Sequence, residues 1–268
     1  MAGDAPPKLG GMALQNGLLV HGPRHWAAAV RSGGEVLVAT GPKPRLAVGP
    51  LDSIPLLRGM LRLGEAFALL PAVRRGLPQA RFAMEDSLSN AAMLGAVVVA
   101  AVARRRLRSV LAQETVAAVA GLAPALIVLR GSQVAVWHAV EHKSIAAYEH
   151  GGAAELANAA EHAKEHQRCG SNLVLPLVVS SAVANTAVRL ATGRRTVATR
   201  LLAAGLSVGV AVEVFAFAGR SPEHPVSRLV HRVGHVIQAG FVTREPGADD
   251  LAVGRTAMET LLQAEGAD

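Results

Sequence analysis

Half of the ten histidines in this chain lie within residues 137–169. Four of them form two H-x-x-x-H pairs, His138 with His142 and His162 with His166. Residues four apart on a helix lie on one face, so each pair would offer two imidazoles to the same divalent metal ion. Long apolar stretches flank the segment on both sides. The spacing therefore predicts a metal site beside a membrane.

The first pair encloses a glutamate in the order His138-Ala-Val-Glu141-His142, which is an H-x-x-E-H motif. This is the inverted form of the zinc-protease motif, in which two imidazoles bind zinc and the carboxylate acts on a water molecule as a general base. Motifs of five residues also arise by chance, and a catalytic zinc site needs a third ligand and an open position. We predict His138 and His142 as metal ligands and Glu141 as a catalytic base.

The second pair continues to a cysteine, so that His162, His166 and Cys169 fall at i, i+4 and i+7. On a helix ended by Gly170, one face would carry three nitrogen or sulfur donors, which suit zinc. The alternative is a solvated helix laced with Glu and Lys, and we favour that interpretation for His162. His166 and Cys169 remain candidate metal ligands.

A carboxylate inside the last apolar stretch is a further candidate ligand. Glu213 lies in LSVGVAVEVFAFAG, where an ionised side chain is costly unless it meets a cation, a hydrogen-bond donor or water. A functional role is the default hypothesis for such an acid. The alternatives are an ion pair with Arg220 or a solvated position near the helix end.

The composition favours helices and a lipid partner. Of the 268 residues, 51% are hydrophobic but only 3% are aromatic, so the apolar mass is Ala, Val and Leu. The net charge of +7 suits contact with anionic lipid headgroups. Nucleic acid is not expected as a partner, because the arginines are dispersed and no stacking aromatics or binding motif accompany them. The single cysteine excludes an internal disulfide, and no cleavable signal is visible at the N-terminus.

Four regions are predicted along the chain. Residues 1–52 form a small β meander, because short apolar runs alternate with Gly-Pro and Gly-Gly turns. Residues 53–86 form an amphipathic helical segment, which either lies in the membrane interface or covers a core. Residues 87–220 form a membrane helical region that contains the His/Cys segment 137–171, and residues 221–268 form a C-terminal helical tail. The predicted fold is mainly α, a membrane-associated helical bundle with a small N-terminal β meander.

Four apolar stretches make up the membrane region: Ser87 to Ala103, Thr115 to Leu129, Leu173 to Val188 and Leu201 to Ala218. Each is slightly shorter than the ~20 residues of a perpendicular span, so a soluble bundle with buried helices is the alternative. The basic loops 104–108 and 189–200 would be cytoplasmic by the positive-inside rule, which sends the histidine region outside. If both hairpins are re-entrant, the histidine region stays cytoplasmic, and we prefer this arrangement.

Several segments together resemble the signature blocks of the YqhQ-like bacterial membrane proteins, a domain family of unknown function generally described as predicted metal-dependent enzymes. The blocks are Gly10 to Pro23, Trp137 to Gly151, Glu165 to Ser171, the Glu213 region and Phe241 to Asp250. Ser171-Asn172 stands where Thr-Ser is usual in that family, and Val212 where an aromatic residue is usual. The resemblance implicates His138, Glu141, His142, Lys143, Tyr148, Glu149, His166, Arg168, Cys169, Gly170, Glu213, Thr243, Arg244 and Glu245.

These observations lead to two functional hypotheses. The first is a metal-dependent hydrolase that acts on an amide or ester near the lipid, with a divalent metal, zinc above all, and with Arg168 or Arg244 stabilising developing negative charge. The second is a membrane scaffold or a protein that binds a membrane-protein partner, with a closed structural site of His and Cys. An ion or proton path past Glu213 is a third and weaker hypothesis.

Overall fold

The computed structural model describes residues 8–45, 53–82, 85, 87–130, 132–194 and 196–266. Its helices in chain order are α1 (Leu57–Gly76), α2 (Ser87–Arg106), α3 (Val110–Leu129), α4 (Gln133–Gly151), α5 (Val174–Thr192), α6 (Val197–Arg220), α7 (Pro225–Ile237) and α8 (Ala248–Glu265). The connection between α4 and α5 contains 3-10 turns at Gly152–Glu161 and Gly170–Leu173. The connection between α7 and α8 contains a π-helical turn at Gln238–Val242. The predicted mainly α fold with a small N-terminal sheet is confirmed.

The N-terminal strands form an antiparallel meander in the order β1 (Gly10–Ala13), β2 (Gly17–His21), β3 (His25–Ser32) and β4 (Glu35–Pro42). The tight connection from β3 to β4 uses Gly33 and Gly34, whose φ angles of 60° and 87° are accessible to glycine at little cost. The β meander predicted from the turn signals is therefore confirmed within residues 10–42.

Both faces of the sheet are covered, because apolar residues occupy successive positions of β2 and β3. Leu18 and Val20 of β2 point to one face and pack with α4 and α8. Leu19 points to the other face and packs with Leu69 and Val73 of α1. The sheet thus fixes α4, which carries the first histidine pair, against α8.

Among the residues that the structure describes, three helices are long and apolar enough to cross a membrane: Val110–Ile127, Gly170–Thr192 and Val197–Arg220. Only 22%, 17% and 28% of these segments is buried inside the protein. A soluble bundle would bury such helices, so their exposed apolar surface favours contact with lipid. In the described part of the chain, α2 and α3 pack as one hairpin and α5 and α6 as another, with α3 against α5.

The residues predicted as a C-terminal tail include a core element. Helix α8 packs on β2, β3 and α4, and its Met258 and Leu261 are fully buried. Its last residue, Glu265, accepts hydrogen bonds from the backbone N–H groups of Arg24 (2.8 Å) and His25 (2.7 Å) and from the Arg24 side chain (3.1 Å). One buried carboxylate therefore ties the C-terminal helix to the turn between β2 and β3.

Replacing Glu265 by Ala should lower the free energy of unfolding by about 2–3 kcal/mol, because two backbone N–H donors lose the buried carboxylate that accepts from them. Burial alone would raise the pKa of Glu265, but the hydrogen bonds from Arg24 and His25 outweigh it and hold the pKa below its usual value. The stabilisation is therefore full above the unfolded-state pKa of about 4.3 and is lost as the pH falls through the folded-state pKa. Thermal unfolding in detergent at neutral and acid pH measures both effects.

The matched control is Glu259→Ala, which removes an exposed ion pair with Arg255 from the same helix. That change should cost less than about 1 kcal/mol. Equal losses of stability in the two variants would show that the Glu265 carboxylate does not anchor α8.

Candidate metal centre

The first histidine pair lies on α4, as its spacing predicts. Ser132 precedes the helix, and Gly152, with φ at 69°, follows its last residue. The rings of His138 and His142 face one another with their centroids 4.3 Å apart, and Glu141 is on the same side of the helix. The H-x-x-E-H motif thus presents two imidazoles and one carboxylate together.

The second histidine pair is not on one helical face, and the helix predicted over residues 162–169 is wrong. The 3-10 turns end at Glu161, and the chain from His162 to Cys169 is irregular before Gly170 begins another short turn. His162 instead contacts Glu155, with His162 Nε2 3.3 Å from Glu155 Oε1. It therefore lies outside the group formed by the first pair.

The irregular path brings Cys169 to the first pair. The Cys169 Sγ lies 3.3 Å from His138 Nε2, and the ligand atoms of His138, His142 and Cys169 all lie within 4.8 Å of one another. A tetrahedral zinc about 2.0–2.3 Å from each ligand atom holds those atoms about 3.3–3.8 Å apart, so the side chains would have to close in by roughly 1 Å. These three residues could hold a metal ion after such a rearrangement of their side chains.

Backbone carbonyls orient both imidazoles. His138 Nδ1 lies 2.9 Å from the Val242 carbonyl oxygen, and His142 Nδ1 lies 2.6 Å from the Lys164 carbonyl oxygen. A carbonyl can only accept, so each Nδ1 carries the proton and each Nε2 keeps its lone pair for a metal. Histidines that bind metals are commonly oriented in this way.

Glu141 lies beside the two free nitrogens. Its Oε2 is 4.0 Å from His138 Nε2 and 3.9 Å from His142 Nε2. Burial raises the pKa of Glu141, and the electrostatic influence of His138, His166 and Arg168 opposes that shift. The carboxylate also fixes the identity of Gly11 on β1, since a Cβ there would lie 2.6 Å from the Glu141 Cγ. Sequence reasoning missed Gly11, because the contact joins a strand and a helix far apart in the chain.

His166 and Arg168 lie at the edge of the group. The His166 ring centroid is 5.8 Å from that of His142, but its two nitrogens already have partners: Nδ1 accepts from the Arg168 N–H (3.2 Å) and Nε2 lies 3.2 Å from Glu149 Oε2. Arg168 forms an ion pair with Glu149 and donates to the Leu9 carbonyl. The structure therefore places His166 next to the three ligand atoms without adding it to them.

Two residues hold the irregular segment in place. The Gln238 side chain accepts from the His166 N–H (2.6 Å) and donates to the His166 carbonyl (3.2 Å). The buried Lys143 ammonium donates to the carbonyls of Ala160 (3.0 Å) and His162 (2.7 Å) and pairs with Glu245 at 2.7 Å. Gln238 gave no signal in the sequence, whereas Lys143 directly follows the H-x-x-E-H motif.

Glu213 is not brought to this group. Its carboxylate accepts from Arg58 (2.7 Å) and from the backbone N–H of Leu56 (3.2 Å), so it fastens the start of α1 to α6. The positive charge beside Glu213 is thus the Arg58 guanidinium on α1, and Glu213 does not join the candidate metal ligands. Arg244 is exposed, and its backbone N–H donates to the Ala135 carbonyl of α4 at 3.0 Å.

The sequence was compared with known families, and the match covers most of the candidate site. A family model described as "Protein of unknown function (DUF1385)" matches residues 126–264, just over half of the chain. The matched region runs from the end of α3 into α8 and includes His138, Glu141, His142 and Cys169. No curated protein and no solved structure matches the chain.

Proposed function

Because the chain belongs to DUF1385, a family of unknown function, its activity has to be inferred from its own side chains, and we propose that it is a membrane-bound, metal-dependent hydrolase. The observation that carries the proposal is the convergence of one ligand atom each from His138, His142 and Cys169 within 4.8 Å, with both Nδ1 atoms bonded to carbonyls. The resemblance to YqhQ-like bacterial membrane proteins points the same way.

Zinc is the proposed metal. Two imidazoles and one thiolate are nitrogen and sulfur donors, which zinc accepts in a tetrahedral arrangement. A catalytic zinc site has three protein ligands and one open position, whereas a structural site has four protein ligands. Three ligand atoms meet here, so the donor set favours catalysis. When bound, zinc would supply a Lewis acid for water and for a substrate carbonyl.

In the proposed reaction Glu141 is the general base. Its Oε2 lies about equally far from both free imidazole nitrogens, beside the residues that would hold the metal. Glu141 takes a proton from water as the water oxygen attacks the carbonyl carbon of an ester or amide. It then returns that proton to the leaving alcohol or amine as the C–O or C–N bond breaks. Arg168, near enough to influence the Glu141 carboxylate, would attract negative charge on the substrate.

We propose a lipid-proximal substrate, on the basis of the site's position. His138 lies in the second turn of α4, which follows α3 closely in the chain, and its carbonyl partner Val242 belongs to the π-helical turn that packs on α3. Phe241 in that turn is 39% exposed and lies under the Arg130 guanidinium, 5.2 Å from it. An exposed aromatic ring beside arginine is typical of a membrane–water interface. We propose further that this interface is cytoplasmic.

The test combines metal analysis with spectroscopy of the purified full chain. We expect about one zinc per chain, and X-ray absorption should show two nitrogens, one sulfur and one light oxygen ligand. Hydrolysis of fluorogenic esters or peptides in vesicles should require zinc and should be lost in Glu141→Gln while the zinc remains. Zinc loss in Glu141→Gln, or a zinc shell made of protein ligands alone, would overturn the catalytic assignment.

A structural metal site is the second candidate, and the position of Glu141 is the observation that favours it. A shift of the Glu141 carboxylate toward the two imidazoles would close the site as a fourth ligand. The protein would then be a membrane scaffold or a partner-binding protein whose metal fastens Cys169 to α4. Acetohydroxamate distinguishes the two candidates, because it can bind zinc at an open position but not at a closed one.

A further inference from the structure

A polar cavity lies between the tips of the two helical hairpins, remote from the His/Cys group. It is lined by the end of α2 and the start of α3 from one hairpin, and by the end of α5, the connecting loop and the start of α6 from the other. Its volume is about 160 Å³. At roughly 30 Å³ for each water, this is room for a group of several heavy atoms with water.

Four arginines and one carboxylate line the cavity. The charged residues are Arg104, Glu114, Arg189, Arg194 and Arg200. Glu114 is buried and is shared by two of the arginines, at 3.6 Å from Arg104 and 3.8 Å from Arg189. The lining therefore carries three positive charges more than negative charges, and an anion is the ligand that such a lining attracts.

Arg194 and Arg200, the other two arginines of the lining, favour a ligand with several oxygen atoms. Arg189 is also held by Gln113, to which it donates at 2.6 Å. By contrast, no side-chain hydrogen bond or ion pair of Arg194 or Arg200 occurs among the described residues. The guanidinium group of an arginine can donate hydrogen bonds to two phosphate oxygens at once. Thr199 adds a hydroxyl group to the same lining.

Exposed apolar side chains directly adjoin this cationic cavity. Leu190 is 72% exposed next to Arg189, and Leu201 is 68% exposed next to Arg200. Val197, at the start of α6, is 73% exposed. A phosphate site bordered by exposed aliphatic surface matches the shape of a phospholipid, with its headgroup above its acyl chains.

From these observations we propose that the cavity between the hairpin tips binds a phosphate group, and that in the membrane this is the headgroup phosphate of an anionic phospholipid. The site fastens both hairpins to the same leaflet, because one ligand bridges helices from each of them. It uses no residue of the metal centre, so it stands or falls independently of the proposed hydrolase activity.

The experiment uses the full chain in detergent, with phosphatidylglycerol, phosphatidylcholine and inorganic phosphate as separate probes. Native mass spectrometry measures binding to the wild type and to two double variants. Arg194→Gln with Arg200→Gln removes two charges from the cavity. Arg105→Gln with Arg108→Gln is the matched control, because these exposed arginines lie at the same tip but do not line the cavity.

We expect phosphatidylglycerol to bind more tightly than phosphatidylcholine. The cavity variant should weaken its binding about tenfold or more, and the control variant less than about twofold. Binding of inorganic phosphate alone, with the same dependence on the cavity arginines, would support the phosphate site and identify free phosphate as its ligand. Equal losses in the two double variants would overturn the proposal, because they indicate diffuse attraction to surface charge. Absence of binding by all three probes would overturn it as well.

Discussion

The variant His142→Gln is expected to bind zinc more than about 100-fold more weakly than the wild type. Loss of a hydrogen-bonding partner behind a metal ligand already costs about 10–100-fold in affinity, and this substitution removes the ligand itself. Only His138 and Cys169 would remain of the three atoms that meet within 4.8 Å. Competition with a chromophoric chelator, combined with elemental analysis, measures the change.

The control for this experiment is His166→Gln. The His166 ring lies 5.8 Å from that of His142, yet its nitrogens are used by Arg168 and Glu149. We expect this variant to keep zinc with an affinity within about tenfold of the wild type, since it alters only the surroundings of the ligands. If His166→Gln loses zinc as completely as His142→Gln, the ligand set contains His166 and the three-atom site is incorrect.

The parts of the fold that follow local patterns could be predicted from the sequence. Turn dipeptides mark the β meander, and α4 places His138, Glu141 and His142 together through helical spacing alone. The apolar stretches predicted helices, and the structure contains these helices. Several of their ends extend about one turn beyond the predicted bounds. Such patterns work because each involves neighbours within a few residues.

The segment after α4 could not be predicted in this way. Residues 153–165 are rich in Ala and Glu, which favour an α-helix, and the H-x-x-x-H spacing strengthened that interpretation. The structure instead has 3-10 turns followed by an irregular path, because Lys143 and Gln238 capture backbone carbonyls of this segment. Tertiary hydrogen bonds therefore override local propensity, and they do so where Cys169 has to reach His138.

Glu213 shows the same limit. Sequence proximity suggested Arg220 as its partner, whereas its hydrogen bonds come from Arg58 and the Leu56 backbone, more than 150 residues away. Close packing supports this pairing, since a Cβ on Gly59 would lie 2.4 Å from Val212. The prediction that the acid needs a cation followed from its apolar surroundings, but nothing local identified an arginine on α1.

Lys143 provides the prediction with the largest expected effect on folding. Its buried ammonium bonds two carbonyls of the segment after α4 and pairs with Glu245. Replacing it by Met keeps the aliphatic stem but leaves the Ala160 and His162 carbonyls without their donor. We expect the free energy of unfolding to fall by about 2–4 kcal/mol. Hydrogen exchange should accelerate first in residues 152–161, and zinc affinity should fall because Cys169 is less well positioned.

Two further variants separate this role from a general effect of charge. Lys164→Met removes the same charge from the same region, but the structure uses the Lys164 carbonyl rather than its side chain, so little change is expected. Glu245→Gln removes the exposed partner and should cost less than about 1 kcal/mol. If Lys143→Met is too unstable to purify, the order of these two milder variants still tests the argument. Stronger local unfolding in Lys164→Met than in Glu245→Gln would contradict the proposed role of Lys143. Glu245 pairs with the Lys143 ammonium, which holds the segment between α4 and Cys169, whereas the Lys164 side chain takes no part in that contact.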